Sequence, residues 1–348
     1  MPARVSVVVP CWNERRFVER SLRTLLDGTF PADDMEVLVV DGGSTDGTRA
    51  ILLRLAAADA RLRILDNPRR ITPVALNLGI TAARGEIILR ADAHTLYPRD
   101  YVAVLVRTLE ESGADLVGCP ADGVAGSDGA WAHAIALATG GAFATASPFR
   151  ERKQSGPADT VPFGCWRKSL FARVGLFDER LQRNQDNEHA SRILRDGGRI
   201  HLTAETRVGY QVRDTLRALC RHASGSGKWN VFTLALAPHA FRWRHILPGV
   251  FFCGVVTALV AVLVGVRWDE PALWIFGVAA LLPYLTVDVA VATKKTAAAG
   301  RLWLALPVAF ITACFHLSYG FGVARGALLF VSGAWRRQVY LSPTEATS

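Results

Sequence analysis

One run of the sequence, residues 246–266, reads ILPGVFFCGVVTALVAVLVGV and contains no charged side chain. Such a run is long enough for a helix to cross the hydrocarbon core of a bilayer, and helices buried in soluble proteins rarely reach this length. Two similar stretches follow, residues 272–292 with Asp288 as the one charged residue and residues 302–324 with His316. The pattern predicts about three transmembrane helices between residues 246 and 330. Buried helices of a large soluble protein are the alternative.

Positive charge is concentrated beside these apolar runs. The net charge is +9, and residues 207–245 contain seven Lys or Arg side chains against one acid, Asp214. Because basic flanks face the anionic cytoplasmic leaflet, we expect the N-terminal part and residues 293–301 on the cytoplasmic side of a multi-pass protein of the cytoplasmic membrane. The expected partner is therefore a membrane and not nucleic acid. The segment after residue 324 is basic too, which a re-entrant third segment or a further interfacial piece would explain.

The N-terminus and the cysteines fit a cytoplasmic location. The sequence MPARVSVVVP has an apolar core too short for a signal peptide, and CWNERR follows it at once. The six cysteines show no C-x-x-C spacing. We therefore expect reduced thiols and neither a disulfide framework nor a zinc site.

Short apolar runs alternate with helical patterns in the N-terminal half. Residues 5–10 (VSVVVP) are typical of a buried strand, and the pattern repeats at residues 36–40, at LRILDN and at EIILRA. Such alternation predicts an α/β fold with a mainly parallel sheet, whose ligands bind where the strands end. Asp41 and Asp92 both occupy such strand ends. Residues 123–147, rich in Ala, Gly and Ser, break the alternation and predict a mobile connector.

The turn DGGSTDGT, residues 41–48, joins a predicted strand to a predicted helix. Its glycines allow close approach of the backbone, and the amides at the helix start favour an anionic ligand. The alternative is an ordinary helix start capped by Ser44 or Asp46. The later motif GSGKWN, residues 225–230, lacks the first glycine and the Ser/Thr of a phosphate-binding loop, so we reject that interpretation.

Five segments, taken together and in order, carry a family resemblance. These segments, VSVVVPCWNE, EVLVVDGGSTDGT, NLGITAARGEIILRADAH, VPFGCWRK and RNQDNEHASRILRDGG, resemble the inverting nucleotide-sugar transferases of glycosyltransferase family 2 over roughly residues 5–229. The motifs DAH, TVPFG, NQD and HLSYGFG look most like the subgroup of membrane-bound exopolysaccharide glucosyltransferases of the succinoglycan type. The resemblance implies a GT-A nucleotide-sugar-binding fold, followed by the predicted transmembrane helices.

The resemblance also implies where a sugar donor binds. A nucleoside-diphosphate sugar, with a UDP-sugar favoured, would occupy the carboxyl edge of the sheet, and Asp41 would contact its base although Gly42 replaces the usual second aspartate. The other residues that would line the donor site are Pro10, Trp12, Glu14, Arg69, Asn77 and Asp92. In place of the family's D-x-D motif, Asp92 and His94 would bind Mg²⁺ or Mn²⁺, which offsets the charge of the departing diphosphate. Helix capping by Asp92 and phosphate contact by His94 are the alternatives.

Inversion of the sugar linkage requires a base beside the acceptor hydroxyl. The resemblance assigns this role to Asp186, with Gln185 where the family usually has glutamate, while Asp178, Glu179 and Glu188 are expected on a solvated helix face. The residues expected to contact the acceptor or the donor phosphates are Gly164, Trp166, Gln185, Arg221, Lys228 and Trp229. For Trp166 a place in the core is the alternative, and for the last three it is anchoring to lipid headgroups.

Together these features predict an inverting, metal-dependent glycosyltransferase that moves a sugar to a lipid-linked, polyprenyl-diphosphate glycan in envelope or exopolysaccharide synthesis. The alternatives are a polyprenyl-phosphate or glycolipid (diacylglycerol-type) sugar transferase and, in a different class, a non-catalytic membrane scaffold. The predicted parts are a cytoplasmic catalytic domain over residues 1–206, a basic amphipathic interfacial region over 207–245, transmembrane helices over 246–330 and a tail over 331–348.

Overall fold

A computed structural model describes residues 3–141, 143, 152–241 and 245–340 of the chain. Contacts divide the chain into two compact units. The first contains, as far as they are described, residues 3–122, 152–211 and 336–340. The second contains the described residues of 123–143 and 212–335. The domain boundaries expected at residues 206, 245 and 330 stay predictions.

An eight-stranded sheet forms the centre of the first unit, in the order β3-β2-β1-β4-β9-β6-β10-β8. Its strands are β1 (Val5–Cys11), β2 (Met35–Asp41), β3 (Leu62–Asp66), β4 (Ile87–Arg90), β6 (Leu116–Gly118), β8 (Gly156–Pro157), β9 (Cys165–Arg167) and β10 (Ile200–Leu202). A smaller sheet, in the order β5-β11-β7, contains β5 (Thr95–Leu96), β7 (Ala121–Val124) and β11 (Val208–Gln211). In the large sheet β1 pairs in parallel with both β2 and β4, whereas β9 runs antiparallel between β4 and β6. The prediction of a mainly parallel sheet is confirmed.

Both faces of the large sheet are buried. Val5, Val7 and Val9 of β1 belong to one core cluster and Val8 to the other. The helices of this unit are α1 (Val18–Leu26), α2 (Thr48–Ala58), α3 (Thr72–Ala82), α4 (Tyr101–Ser112), α6 (Leu170–Val174) and α7 (Gln185–Arg195). Side chains of α1 and α4 fill the first cluster, and side chains of α3 and α7 fill the second. Burial on both faces is why the strands have continuous apolar sequences.

Four rings form an aromatic cluster in the second of these cores. His189 stacks on Phe177 with ring centroids 4.6 Å apart, and Trp166 and Phe171 pack around the pair. Trp166 is buried, and a Cβ added at Gly164 would overlap with its indole ring. Trp166 thus occupies the core, the alternative that the sequence left open, and Gly164 provides the space for it.

The second unit is mainly helical. Its helices are α5 (Ala130–Thr139), α8 (Leu216–Leu236), α9 (Leu247–Arg267), α10 (Pro271–Ala298) and α11 (Ala305–Val331), and α12 (Trp335–Tyr340) follows. As the sequence predicted, three segments are long and apolar enough to cross a membrane, α9, α10 and Leu302–Val331. The expectation of a mobile connector over residues 123–147 is wrong at α5, where Ala132, Ile135 and Ala138 recur at helical spacing and are buried. Residues 142 and 144–147 of this stretch lie outside the described residues.

α8 and α11 pack at very short distance through small residues. A Cβ added at Gly227 of α8 would overlap with the carbonyl oxygen of Tyr319, and one added at Gly322 of α11 would overlap with that of Ser224. Close backbone approach of this kind is typical of helix pairs with small residues at the contact. The motif GSGKWN lies inside α8, which confirms that it is not a phosphate-binding loop.

We expect Gly322→Ala to destabilise the chain by about 1–3 kcal/mol, because the new methyl group has to displace the α8 backbone. The matched control is Gly254→Ala in α9, where an added Cβ meets nothing within 4 Å. That variant should be as stable as the wild type or more so, since alanine favours a helix by about 1 kcal/mol over glycine. Thermal unfolding of the purified protein in detergent measures both; equal losses would contradict the close packing.

We expect His189 to make the chain less stable in acid. Burial first, and the charge of Arg192 second, lower the pKa of His189 to about 3. A histidine in the unfolded chain binds a proton below pH about 6.5. Stability should therefore fall as the pH drops from about 6.5 towards 3, by up to about 1.4 kcal/mol per pH unit.

The variant His189→Phe keeps an aromatic ring but does not titrate, so it should lose part of this acid sensitivity. The measurement is the change in melting temperature between about pH 7.5 and pH 5.5 for the variant and the wild type. An acid shift of the same size in both proteins would show that His189 does not contribute.

Candidate functional site

The loops after β1 and β2 are joined by hydrogen bonds. The Asn13 N–H donates to Ser44 Oγ (2.9 Å), and Asn13 Oδ1 accepts from the Thr45 N–H (2.8 Å). The Glu14 N–H donates to Thr48 Oγ1 (2.8 Å). Asn13 has a φ of 55°, a left-handed conformation that asparagine tolerates better than most residues. The two loops therefore form one connected edge at the carboxyl ends of these strands.

Asp41 ends β2 and its carboxylate is buried. Ser44 Oγ donates to Asp41 Oδ1 (2.6 Å), and Arg49 Nη1 lies 3.3 Å from Oδ2. The N-cap of α2 is Gly47, with a φ of 100°, and neither Ser44 nor Asp46 occupies that position. Within the protein, Asp41 therefore stabilises the turn; its contact with a base stays a prediction.

Trp12 stands just beyond β1, beside the glycine that replaces the family's second aspartate. A Cβ added at Gly42 would lie 3.2 Å from the Trp12 side chain, closer than ordinary van der Waals contact. A larger residue at position 42 would thus displace the indole. Trp12 is 50% exposed, while Pro10 is partly buried in β1. A large aromatic surface is therefore available at the edge where the nucleoside is expected.

The end of β4 brings Asp92 and His94 beside Glu14. Arg90 Nε donates to Asp92 Oδ1 (3.0 Å), and His94 Nδ1 lies 3.2 Å from Glu14 Oε1. The Tyr97 hydroxyl accepts from the Asp92 N–H (2.6 Å) and donates to the Asp92 carbonyl (3.0 Å). Arg90 and Tyr97 thus orient Asp92. Sequence reasoning missed both, although a charged arginine after the apolar run Ile87–Leu89 was a signal that could have been noticed.

The surroundings of His94 favour its protonated form. Burial lowers the pKa of His94, but Tyr210, the contact with Glu14 and the charge of Asp92 outweigh burial and raise the pKa to about 9. The other ring nitrogen, Nε2, is buried and has no hydrogen-bond partner among the residues that the structure describes. A buried polar atom without a partner is unusual in folded proteins.

Asp92 and His94 fit a divalent cation as part of its ligand set. A carboxylate and an imidazole nitrogen suit Mn²⁺ better than Mg²⁺, which prefers oxygen ligands. Within the described ranges, no three His, Cys, Asp or Glu side chains are arranged to hold a metal ion. Further ligands would have to come from the donor or from water. A cation would also compete with the proton on His94, because only a deprotonated nitrogen binds metal.

Asp186 lies in the first turn of α7, after Asn184, whose φ is 64°. Its Oδ1 accepts from the Asn187 N–H (2.9 Å). The charge of Arg90 interacts with both carboxylates: burial lowers the pKa of Arg90, but the charges of Asp92 and then of Asp186 raise it above its ordinary value. The candidate metal ligand and the candidate base therefore both interact with one partly buried guanidinium group.

Arg69 and Asn77 hold the segment that precedes α7. Arg69 forms an ion pair with Glu179. Asn77 Oδ1 accepts from the Phe177 N–H (2.9 Å), and its Nδ2 donates to the Phe177 carbonyl (2.9 Å) and to Glu179 Oε1 (3.1 Å). Both side chains thus bind other parts of the protein, and their contact with a donor stays a prediction.

Two side chains of α7 differ in environment from their neighbour Asp186. Glu188 is buried, and Arg192 donates to both of its carboxylate oxygens (2.7 and 2.8 Å). The expectation that Glu188 lies on a solvated helix face is therefore wrong. Its ion pair with Arg192, one turn further along α7, offsets the cost of burying the carboxylate. Gln185 is buried as well, and its Oε1 has no partner in the part of the chain that the structure describes.

Arg221, Lys228 and Trp229 lie on α8, in the second unit. Trp229 is buried against Phe232, with ring centroids 5.2 Å apart. Lys228 Nζ lies 5.6 Å from the centroid of the same ring, a cation–π distance, and Arg221 is exposed. Contact with donor phosphates and anchoring to headgroups both stay predictions for these residues.

Comparison with known sequences identifies relatives of this chain. The family model described as Glycosyl transferase family 2 matches residues 6–177. The succinoglycan biosynthesis protein ExoA of Rhizobium meliloti (strain 1021) is 32% identical over 281 residues, which cover 70% of this chain and 80% of that protein. The dolichyl N-acetyl-alpha-D-glucosaminyl phosphate 3-beta-D-2,3-diacetamido-2,3-dideoxy-beta-D-glucuronosyltransferase of Methanococcus voltae is 21% identical over 336 residues, 94% of this chain and 99% of that protein.

Two solved structures have a similar fold. The mannosyltransferase PcManGT of Pyrobaculum calidifontis, in complex with GDP-Man and Mn2+, has a TM-score of 0.57 and 22% identity over 94% of this chain and 89% of its own. The S. aureus TarS structure has a TM-score of 0.51 and 17% identity over 95% of this chain and 92% of its own. At these identities the likeness concerns the fold alone. Fold and sequence together show that the chain belongs to glycosyltransferase family 2, with a GT-A-like fold.

Proposed function

We propose that this glycosyltransferase moves a sugar, with inversion, from a nucleoside-diphosphate donor to a hydroxyl group of a lipid-linked glycan. The observation that carries the proposal is that Arg90 donates to Asp92 and that its charge also interacts with the charge of Asp186. A carboxylate that can bind a cation and a carboxylate that can accept a proton thus both interact with one partly buried positive charge. An inverting displacement uses these two functions together.

The donor half of the site is the edge formed by the loops after β1, β2 and β4. The exposed indole of Trp12 offers a stacking surface for a base, and we favour a UDP-sugar. A solved neighbour of similar fold was obtained with GDP-Man and Mn2+, which supports a nucleotide sugar in general. The base that this chain selects is part of the proposal.

Asp92 and His94 would hold a divalent cation, Mn²⁺ or Mg²⁺, beside the donor diphosphate. The cation supplies charge that offsets the negative charge of the departing nucleoside diphosphate. Arg90 orients the Asp92 carboxylate before the donor binds, and the Tyr97 hydroxyl holds the backbone of Asp92. Glu14 contacts His94 through Nδ1, which would leave Nε2 as the nitrogen for a cation.

Asp186 would act as the general base. As the acceptor oxygen forms its bond to the anomeric carbon, the hydroxyl proton passes to the Asp186 carboxylate. The bond from that carbon to the donor phosphate breaks, and its electron pair leaves with the nucleoside diphosphate. The base is needed because a sugar hydroxyl is a weak nucleophile while it keeps its proton.

The acceptor would be a polyprenyl-diphosphate glycan at the cytoplasmic face of the membrane. Three helices long enough to cross a bilayer support a lipid-linked acceptor. One relative is named for succinoglycan biosynthesis, and another is named as acting on a dolichyl-linked sugar phosphate. Transfer to a polyprenyl phosphate or a diacylglycerol glycolipid is the enzymatic alternative, and a membrane scaffold without activity is the alternative from another class.

We expect Asp186→Asn to lower kcat about 10²–10⁴-fold and to leave donor binding nearly unchanged, because the amide cannot accept the proton. Asp92→Asn should weaken the binding of donor in the presence of Mn²⁺. Release of nucleoside diphosphate, with a panel of nucleotide sugars and lipid acceptors, measures the first effect, and calorimetry with Mn²⁺ and donor measures the second.

The matched control is Asp33→Asn, an exposed aspartate in the 3₁₀ turn Ala32–Asp34, which should keep wild-type values. A phosphate acceptor would leave Asp186→Asn within about tenfold of the wild type, since phosphate attacks without a base. A scaffold would release no nucleoside diphosphate with any donor. Wild-type rates in both Asp92→Asn and Asp186→Asn would contradict the mechanism.

We expect Arg90→Gln to reduce kcat/KM at least tenfold, because Asp92 loses the side chain that orients it and the site loses a positive charge. Arg90→Lys keeps the charge but should recover only part of the rate, since lysine does not reproduce the Nε contact with Asp92. Release of nucleoside diphosphate measures the rates, and thermal unfolding measures stability. A loss of rate in Arg90→Gln that only follows a lowered thermal stability would mean that Arg90 only supports packing.

A further inference from the structure

We propose that α9 and α10 alone cross the bilayer, and that α11 lies with α8 in the headgroup layer at the open end of the hairpin that α9 and α10 form. The surface concerned is the lipid-facing stripe, defined as Leu306, Phe310, Phe321, Leu328 and Val331 of α11. This stripe would contact the outer part of the acyl chains beneath the headgroups. The inference does not depend on the donor or the acceptor of the reaction.

α9 and α10 form an antiparallel hairpin. Gly265 packs against the Trp274 backbone near its closed end, and Gly277 packs against Ala258 further along. Most other side chains of the pair are exposed, as expected for helices that lipid surrounds. At 1.5 Å per residue, the 21 residues of α9 span about 31 Å, the thickness of a hydrocarbon core. Trp268 and Trp274, at the closed end, are suited to the far membrane surface.

α11 meets this hairpin at its open end. Gly320 lies against Phe252 and the Pro248 carbonyl, and Val323 lies against Gly249. Because α9 begins at Leu247, these contacts place the middle of α11 level with the first two turns of α9. A third crossing of equal depth would instead place its middle beside the middle of α9.

The other side of α11 packs against α8, a helix with polar and charged side chains. The two helices run parallel, because Ser224 of α8 lies against Gly322 of α11 and Lys228 lies against Gly326. α8 also carries the exposed side chains Arg217 and Arg221. Exposed arginines along a helix are costly in hydrocarbon and favourable among anionic headgroups. The half of α11 that packs along α8 therefore lies at headgroup level.

A second polar contact lies near the middle of α11. His316 Nε2 is 3.1 Å from the Phe143 carbonyl oxygen, and Nδ1 is 2.9 Å from the Tyr284 hydroxyl. Phe143 follows α5, and Lys295 Nζ lies 3.3 Å from the Leu137 carbonyl near the end of α5. A backbone carbonyl and the charged group of Lys295 thus lie beside α10 and α11 at this level. Polar groups of this kind are favoured near the membrane surface over the bilayer centre.

Five exposed apolar residues, Leu306, Phe310, Phe321, Leu328 and Val331, lie on one face of α11 at the helical period and are 53–85% exposed. Residues 311–320, between the two groups, are buried or partly buried, and Phe330 is exposed on another face. An apolar face exposed near both ends suits a helix that lies in the interface with that face in the acyl chains. The adjoining lipid-facing hairpin makes lipid the occupant, and not a second protein.

The end of α11 supports the same arrangement. α12 follows after three residues, and residues 336–340 belong by their contacts to the unit that contains the large sheet. Two crossings return the chain to that side of the membrane, whereas three would not. The basic side chains Arg325, Arg336 and Arg337 then lie on the cytoplasmic side, which removes the conflict found in the sequence.

Side-specific labelling tests the number of crossings. Single cysteines would replace Asp33, Asp269 and Ser332 in a chain whose six native cysteines are changed to serine or alanine. An impermeant maleimide is then applied to sealed vesicles of each orientation. We expect Ser332→Cys and Asp33→Cys to be labelled from the same side of the membrane, and Asp269→Cys to be labelled from the opposite side. Labelling of Ser332→Cys together with Asp269→Cys would overturn the proposal.

A reporter fused after residue 348 of the unaltered chain gives the same answer if the cysteine-free chain fails to fold. Green fluorescent protein should be fluorescent and alkaline phosphatase inactive at that position, because the tail stays in the cytoplasm. A non-fluorescent green fluorescent protein together with an active alkaline phosphatase would contradict the proposal.

Depth measurements test the lipid contact itself. A bimane label on Leu306→Cys, Phe321→Cys or Leu328→Cys should be quenched equally by lipids with a shallow nitroxide and weakly by lipids with a deep one. Val256→Cys, in the middle of α9, is the deep control. Deep quenching at Phe321→Cys with shallow quenching at the other two would indicate a crossing helix. Absence of quenching at all three would indicate a protein–protein contact, and either result rejects the proposal.

Discussion

The parallel pairing of β1 with both β2 and β4 is the constraint on which the candidate site depends. Parallel strands end at the same edge, so the loops that carry Trp12, Asp41 and Asp92 meet there although the sequence separates them. The hydrogen bonds from Asn13 and Glu14 to the loop after β2 then join two of these loops. A donor would meet an edge whose shape is set by the sheet and not by the flexible ends of single loops.

Arg90 links this edge of the sheet to α7, because its charge interacts with Asp186. It ends β4, so the strand fixes its backbone, and its N–H donates to the carbonyl of Gly164 (2.8 Å), which immediately precedes β9. Its side chain donates to Asp92, and its charge also interacts with Asp186, which reduces the repulsion between the two carboxylates. The same charge would compete with a divalent cation for Asp92, so the proposed site balances the metal, the arginine and the donor phosphates.

In the second unit, the helices α8 and α11 are held together by close packing of their backbones. Gly227 and Gly322 let α8 and α11 approach until their main chains touch, which ties a helix with exposed arginines to a largely apolar one. Helices joined in this way share one depth in a membrane. The exposed arginines of α8 therefore limit how deep the part of α11 packed along α8 can lie, and hydropathy alone does not reveal this limit.

The sequence by itself determined the alternation of strands and helices, the parallel sheet, the family and the long apolar helices, because these depend on local periodicity and on motifs read in order. Only the tertiary structure decided that Trp166 is core, that Glu188 is buried and that Arg90 donates to Asp92 while its charge also interacts with Asp186. Burial and charge pairing depend on residues distant in sequence: Glu188 is hidden by its own ion pair, and Trp166 fits only where Gly164 leaves room. A pattern along one chain records which face of an element is apolar, but not which other element covers it.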